Sequence, residues 1–233
     1  MAEPQRIPLL RAVVGSTAYG LATPESDVDR MEVFAYPTVE LLGLEEPPQT
    51  VVTTKPDSTA HEAHKFLKLA LKANPSITEL LWLPDHLYEE RSDAGDRLIS
   101  IRSALLSRKA VRNAYLGYAT QQFRKLHERH GEGFGSVPKN RTEKHARHLA
   151  RLCEQGYELY ATGTMSVVLE NPEWFHAFGR EVAKDGNLWR ASEYLEEMGE
   201  KFDACASVLP EQPDEKLAVQ WLRSVRAEYW TGA

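Results

Sequence analysis

The sequence predicts an α/β (α+β) protein, with a small mixed sheet in its first part and a helical domain after it. Two observations carry this. Up to about residue 56, short β-branched and aromatic runs alternate with Gly and Pro, the punctuation of short strands and turns. From Asp93 onward nearly every segment shows helical spacing of apolar residues. The change of character near 84–95 divides the chain into an expected 1–92 core and a 93–233 helical domain.

Taken in order, RAVVGS reads as a strand entering a turn at Gly15-Ser16, and TAYGLA as the first turns of a helix. Thr23-Pro24-Glu25-Ser26 is a loop. DVDRMEVFAYP is a strand stopped by Pro37, LEEPPQ a connection, and QTVVTTKP a strand stopped by Pro56. STAHEAHKFLKLALKANP carries Ala60, Ala63, Phe66, Leu67, Ala70 and Leu71 at helical spacing. Thr59 and Glu62 offer a capping box there, and Asn74-Pro75 a stop. SITELLWL follows and ends at Pro84. A long helical pattern spans about 96–130, GEGFGSVPKN is a loop, and a second long helix covers about 142–161. Helices near 171–184, 190–207 and 213–229 complete the chain.

Composition excludes several classes. The 233 residues carry a net charge of −6, 42% hydrophobic and 27% charged side chains, which is ordinary globular usage. Cys153 and Cys205 show no CxxC spacing, so structural zinc is not expected and reduced thiols in a cytoplasmic protein are. HEAHK sets its histidines three apart, not in the HExxH spacing of a zinc helix. MAEPQRIPLL is too short and polar for a signal peptide, and no apolar run approaches a membrane span.

The most informative stretch is GSTAYGLATPESDVD. A Gly-Ser turn at a helix start offers backbone N–H groups and a hydroxyl to phosphate oxygens. A ten-residue spacer leads to Asp27 and Asp29, which lie two apart and so share one strand face. Adjacent carboxylates repel unless a cation lies between them, and Mg²⁺ takes hard oxygen ligands from carboxylates and substrate phosphates. The plainer alternative is a polar loop with a strand-capping Asp.

Gly-Ser, the spacer and Asp-apolar-Asp together resemble the DNA polymerase β-type nucleotidyltransferase superfamily. A closer resemblance rests on GSTAYGLATPESDVD, DSTAHEAHKFLKLALKANPSITELLW, GYATQQFRKL and KHARHLARLCEQGYELYATG, which span about 15–163. These blocks are similar to the RlaP-type branch of RNA-ligase-associated predicted nucleotidyltransferases. The resemblance implies a polymerase β-like core, Mg²⁺ (or Mn²⁺) dependence, and transfer of a nucleoside monophosphate from an NTP with release of pyrophosphate. It implies Asp27, Asp29 and a third carboxylate as the catalytic, metal-holding set. Asp57, closing the strand-like QTVVTTKP, suits the third place, with a helix N-cap as its other use. Glu32 is the rival but should face the other side of its strand. Arg30 departs from the apolar or aromatic residue expected after Asp29.

Gly15 and Ser16 would cradle phosphates. In the matching KHARHLARL motif, Lys144, His148 and Arg151 share one helix face beside His145 and would reach the nucleotide. Tyr118 and Gln122 of GYATQQ would line a nucleotide or acceptor cleft, or simply pack helices together. Residues 101–151 hold 12 Lys plus Arg against 3 Asp plus Glu, a cationic segment suited to phosphate or nucleic acid, or else a solvated helix face. The acceptor stays open among an RNA 3′ end, a protein hydroxyl and a small molecule, with the RNA end leading. A nucleotide-binding sensor of an RNA-repair or defence system, without chemistry, is the alternative function.

Overall fold

In the computed structural model, residues 5–24, 26–131, 139–184 and 188–230 are described. The chain folds into two compact units, Met1–Leu106 together with Gln212–Ala233, and Ser107–Glu211. The expected division after residue 92 differs from these units in two ways. The segment from 93 to 106 stays with the sheet, and the last helix returns to it.

The first unit is built on a five-stranded sheet of order β3-β4-β2-β1-β5. Its strands are β1 (Ile7–Val14), β2 (Asp29–Ala35), β3 (Thr50–Thr54), β4 (Asp57–Glu62) and β5 (Tyr88–Arg91). The β2–β4 pair is parallel and the other pairs are antiparallel. A five-residue helix α1 (Gly15–Tyr19) follows β1, and α2 (Ala63–Ala70), α3 (Pro75–Leu80) and α4 (Asp93–Ser100) follow β4 and flank β5. Leu10, Ala12, Met31 and Val33 project from one sheet face and are buried with Phe66, Leu67, Ile77 and Leu80 of the helices. Phe34, Tyr36 and Ala60 form a smaller cluster on the opposite face.

Two strands depart from the sequence reading. DSTAHE, expected as the start of a helix, is strand β4, and the Thr59–Glu62 capping box does not form. Glu62 is itself the N-cap of α2 and accepts a hydrogen bond from the His64 N–H at 2.8 Å. The ladder partners on both sides, β2 and β3, override the weak helical spacing of Ala60 and Ala63. YEER, which has no strand signature, becomes β5 because β1 offers it an open edge. The pattern over 96–130 is two helices, since α4 ends at Ser100 and α5 starts at Arg108. Gly95 explains how closely α4 lies on the sheet: a Cβ there would stand 2.2 Å from the Leu9 carbonyl oxygen.

The last helix, α9 (Glu215–Glu228), is bound to the first unit by polar ties. Trp221 Nε1 donates to the Ala94 carbonyl at 2.9 Å, and Thr38 Oγ1 donates to the Arg226 carbonyl at 2.6 Å. Arg226 reaches Glu62, 2% exposed, at 2.5 Å. The second unit packs α5 (Arg108–Gly131) along α6 (Lys139–Thr162), with α7 (Pro172–Ala183) and α8 (Leu188–Ala204) against α6. Tyr115, Leu149, Phe178, Met198 and Phe202 lie in its interior. Trp174 stacks on Phe178 at 5.5 Å and meets Tyr194 at 5.6 Å, so this C-terminal aromatic group serves as helix packing. Among the described residues no helix is long and apolar enough to cross a membrane.

Removing one partner of a buried ion pair leaves the other charged and unsolvated. Arg226→Met should therefore lower stability by about 3 kcal/mol, read as the midpoint of chemical denaturation. Part of the loss should return in the double variant with Glu62→Gln. An unchanged midpoint in Arg226→Met would show that the tie carries no stability.

Candidate active site

The antiparallel register of β1 and β2 pairs Val14 with Asp29. The next residue, Gly15, has φ +70°, a left-handed conformation that side chains disfavour. A Cβ at Gly15 would stand 2.3 Å from Asp29 Oδ2. The Asp29 carboxylate thus lies directly over the glycine where the chain leaves the strand for α1. Ser16 follows in the first turn of α1, and its carbonyl accepts from the Leu21 N–H at 2.9 Å. The far end of α1 is pinned, since Tyr19 Oη donates to Glu79 Oε2 at 2.6 Å, both residues being buried.

The parallel register of β2 and β4 pairs Arg30 with Ser58, so Asp57 stands beside Asp29 at the matching strand starts. Side chains at paired positions of neighbouring strands share a face, which puts Asp57 on the Asp29 side. Asp57 is exposed, and it opens β4 instead of closing β3. The helix N-cap reading does not apply to it, because that place belongs to Glu62. Gly15, Ser16, Asp29 and Asp57 thus meet at one end of the sheet.

Asp27 differs from the expectation. Strand β2 begins at Asp29, and Asp27 is exposed in the loop before it. That loop is closed by Thr23 N–H donating to Ser26 Oγ and Ser26 N–H donating to the Thr23 carbonyl, both at 2.9 Å. Among the described residues, no three His, Cys, Asp or Glu side chains converge into a group that could hold a metal ion. Bare carboxylates repel one another, and a divalent cation removes that cost. Hard carboxylate oxygens are the donors that Mg²⁺ or Mn²⁺ takes, and Asp29 Oδ2 fills the place that a side chain at Gly15 would occupy.

Glu32 lies on the other face, paired in register with Arg11. Arg30 points the same way, and its Nε donates to both carboxylate oxygens of Glu89, at 2.8 and 3.0 Å. That pair accounts for a charged residue where an apolar or aromatic one was expected. The sequence reading missed Glu89 because β5 has no apolar alternation to reveal it.

The remaining candidates belong to the second unit. Lys144 is exposed on α6 and His148 is half-buried. Arg151, expected at a phosphate, is 2% exposed. Its Nη1 donates to Gln155 Oε1 at 2.7 Å, and Gln155 Nε2 donates to the carbonyls of Ser166 and Val167, each at 3.1 Å. The guanidinium therefore ties α6 to the segment after it. Gln122 is also buried, and its Oε1 lies 2.8 Å from His145 Nδ1, joining α5 to α6. Tyr118 is half-buried on α5.

Burial, reinforced by Arg151, His145, Lys125 and Lys144, pushes the His148 imidazole down to about 3. A histidine whose folded value lies below the unfolded one, ordinarily about 6.5, is protonated first in the unfolded chain. Its contribution to stability is present at neutral pH and is lost as pH falls from about 6.5 towards about 3. His148→Gln should flatten this acid slope in urea unfolding compared between about pH 7 and about pH 4.5. An identical slope in both proteins would contradict the burial of a neutral imidazole.

No curated protein matches the chain. Residues 2–178 match the model of the RNA repair pathway DNA polymerase beta family. With the Gly-Ser turn, the flanking carboxylates and the mixed sheet that carries them, the chain belongs to that family.

Proposed function

We propose that this chain is a Mg²⁺- or Mn²⁺-dependent nucleotidyltransferase that moves a nucleoside monophosphate from an NTP to an acceptor hydroxyl. The observation that carries the reading is the seating of the Asp29 carboxylate over Gly15, beside Asp57 at the paired strand start.

Asp27 and Asp29 would hold one divalent ion and, with Asp57, a second, which when bound supply charge neutralisation of the triphosphate and a lowered pKa of the acceptor hydroxyl. Ser16 and the Gly15 backbone would cradle the β- and γ-phosphates. The acceptor hydroxyl gives up its proton to solvent water and its oxygen bonds to the α-phosphorus as the bond to the bridging oxygen breaks, and pyrophosphate leaves. Such transfer asks the protein for positioning and charge stabilisation rather than covalent chemistry. The left-handed turn at Gly15 meets that demand by fixing Asp29 against the phosphate-binding turn.

Exposed Lys144, with Tyr118 and His148, would supply the second unit's contacts to nucleotide or acceptor, and buried Gln122, held to His145, would support them from inside. Arg151 would support that helix from inside. An RNA 3′ end is the acceptor we favour, from the cationic 101–151 segment and the RNA-repair association of the family. The free thiols of Cys153 and Cys205 suit a cytoplasmic setting.

Labelled NTP incubated with Mg²⁺ and an RNA carrying a free 3′ hydroxyl should transfer label and release pyrophosphate, and chelation should stop both. Asp29→Asn should cut transfer by at least about a hundredfold with its melting temperature kept. Full activity in both Asp27→Asn and Asp29→Asn would overturn the reading. Gly15→Ala should lose activity as well. It should also lower stability by at least about 1 kcal/mol, since it forces a side chain into the left-handed region and against Asp29. An active, undisturbed Gly15→Ala would detach the turn from the chemistry.

A further inference from the structure

The sheet face opposite the carboxylate end carries a cavity of about 530 Å³. Its floor is apolar, from Val51 and Ala60, and its rim carries Thr53 and Ser58. Arg6 and Glu32 stand on its wall. Most charges around it are already matched. Arg30 is engaged by Glu89, and Arg11 lies 3.1 Å from Glu90 and 3.5 Å from Glu89.

Glu32 and Arg6 are the exceptions. Glu32 is 9% exposed, yet its nearest cation is Arg11 Nη1 at 4.0 Å. No hydrogen bond to its carboxylate comes from the described residues. Arg6 forms neither an ion pair nor a hydrogen bond with them, and its guanidinium rests over the Phe34 ring at 5.6 Å. A buried carboxylate lacking donors is costly to keep. Burial accordingly raises its pKa, while Arg6 opposes that rise from nearby.

The wall thus presents one acceptor group in want of donors and one donor fork in want of an anion, above an apolar floor. We propose that this cavity is a binding site for a ribonucleotide unit, with ribose hydroxyls donating to Glu32, the phosphate on Arg6 and the base over Val51 and Ala60. The volume accommodates a mononucleotide. The guanidinium fork suits phosphate in a two-pronged geometry. Ser58, with no side-chain hydrogen bond among the described residues, adds a hydroxyl to the rim. This site is separate from the carboxylate end and needs no metal. Arg30 and Ser58 are nevertheless the residues next after Asp29 and Asp57 on the same strands.

Titration calorimetry with adenosine 5′-monophosphate in the presence of EDTA tests it on the full chain. AMP should bind, and adenosine and inorganic phosphate should each bind at least about tenfold more weakly. Glu32→Gln and Arg6→Ala should each weaken AMP by about tenfold or more, the scale of one charge-assisted contact. Asp29→Asn should leave binding unchanged, which separates this site from the transfer site. The proposal is overturned if AMP does not bind, if its affinity is indifferent to both substitutions, or if Asp29→Asn abolishes it. Binding of glycine as strong as that of AMP would also overturn it, since a small zwitterion would then satisfy the Arg6–Glu32 pair. A melting-temperature check shows that both variants fold. Should Glu32→Gln fail it, the decision passes to Arg6→Ala, at a half-buried surface position.

Discussion

The structure depends on one close approach: Asp29 over Gly15, at the end of the β1–β2 ladder. Antiparallel pairing sets Val14 opposite Asp29, and the following residue must turn sharply to begin α1. The turn has positive φ, and the space a side chain would fill is taken by Asp29 Oδ2. Backbone conformation and steric exclusion demand the same residue, so this glycine answers two constraints at once. The carboxylate is then held against the turn by covalent geometry and strand hydrogen bonds, with no flexible linker between them. Pinning α1 through the buried Tyr19–Glu79 hydrogen bond extends that rigidity past the turn.

The sheet divides its charged residues between two faces. Alternation along β2 sends Asp29 to one side and Arg30 and Glu32 to the other. On β4 the same rule separates Asp57 from Ser58. One pair of adjacent strands thereby carries a carboxylate end on one face and a charged cavity on the other. Neither face is a simple hydrophobic surface over its whole length. The apolar stripe that packs on α2, α3 and α4 begins only at Met31, two residues into the strand.

Polar groups inside the protein are employed as ties between elements distant in sequence. Glu62 caps α2 and receives Arg226 from α9, and this pairing helps keep the chain's last helix with the first unit. In the second unit Arg151, Gln155 and the carbonyls of Ser166 and Val167 do the same for α6 and the segment after it. A buried guanidinium is tolerable only with such partners. The same residue type serves as a structural tie at Arg151 and stands exposed as Lys144's neighbour at Arg141; burial, not charge, separates the two uses.

The sequence by itself determined the strands of β1, β2 and β3, the Gly-Ser turn, the Asp27 and Asp29 spacing and the helical character after residue 93. Each of these is written in local periodicity or in neighbouring residues. It also carried the family, because four motif blocks are local strings. Tertiary structure alone decided the rest. DSTAHE became a strand through pairing with β2 and β3, a non-local energy that outweighs its own helical spacing. That pairing brought Asp57 beside Asp29. Arg151 and Lys144 share a helix face in the sequence, yet one is buried and one exposed. A helical wheel shows which residues align, but only the packed neighbours show which end of the stripe lies under protein. The return of α9 to the sheet rests on contacts across more than a hundred residues, such as Trp221 with Ala94 and Arg226 with Glu62. No local pattern announces such contacts, because the burial that makes them favourable exists only once the chain has folded.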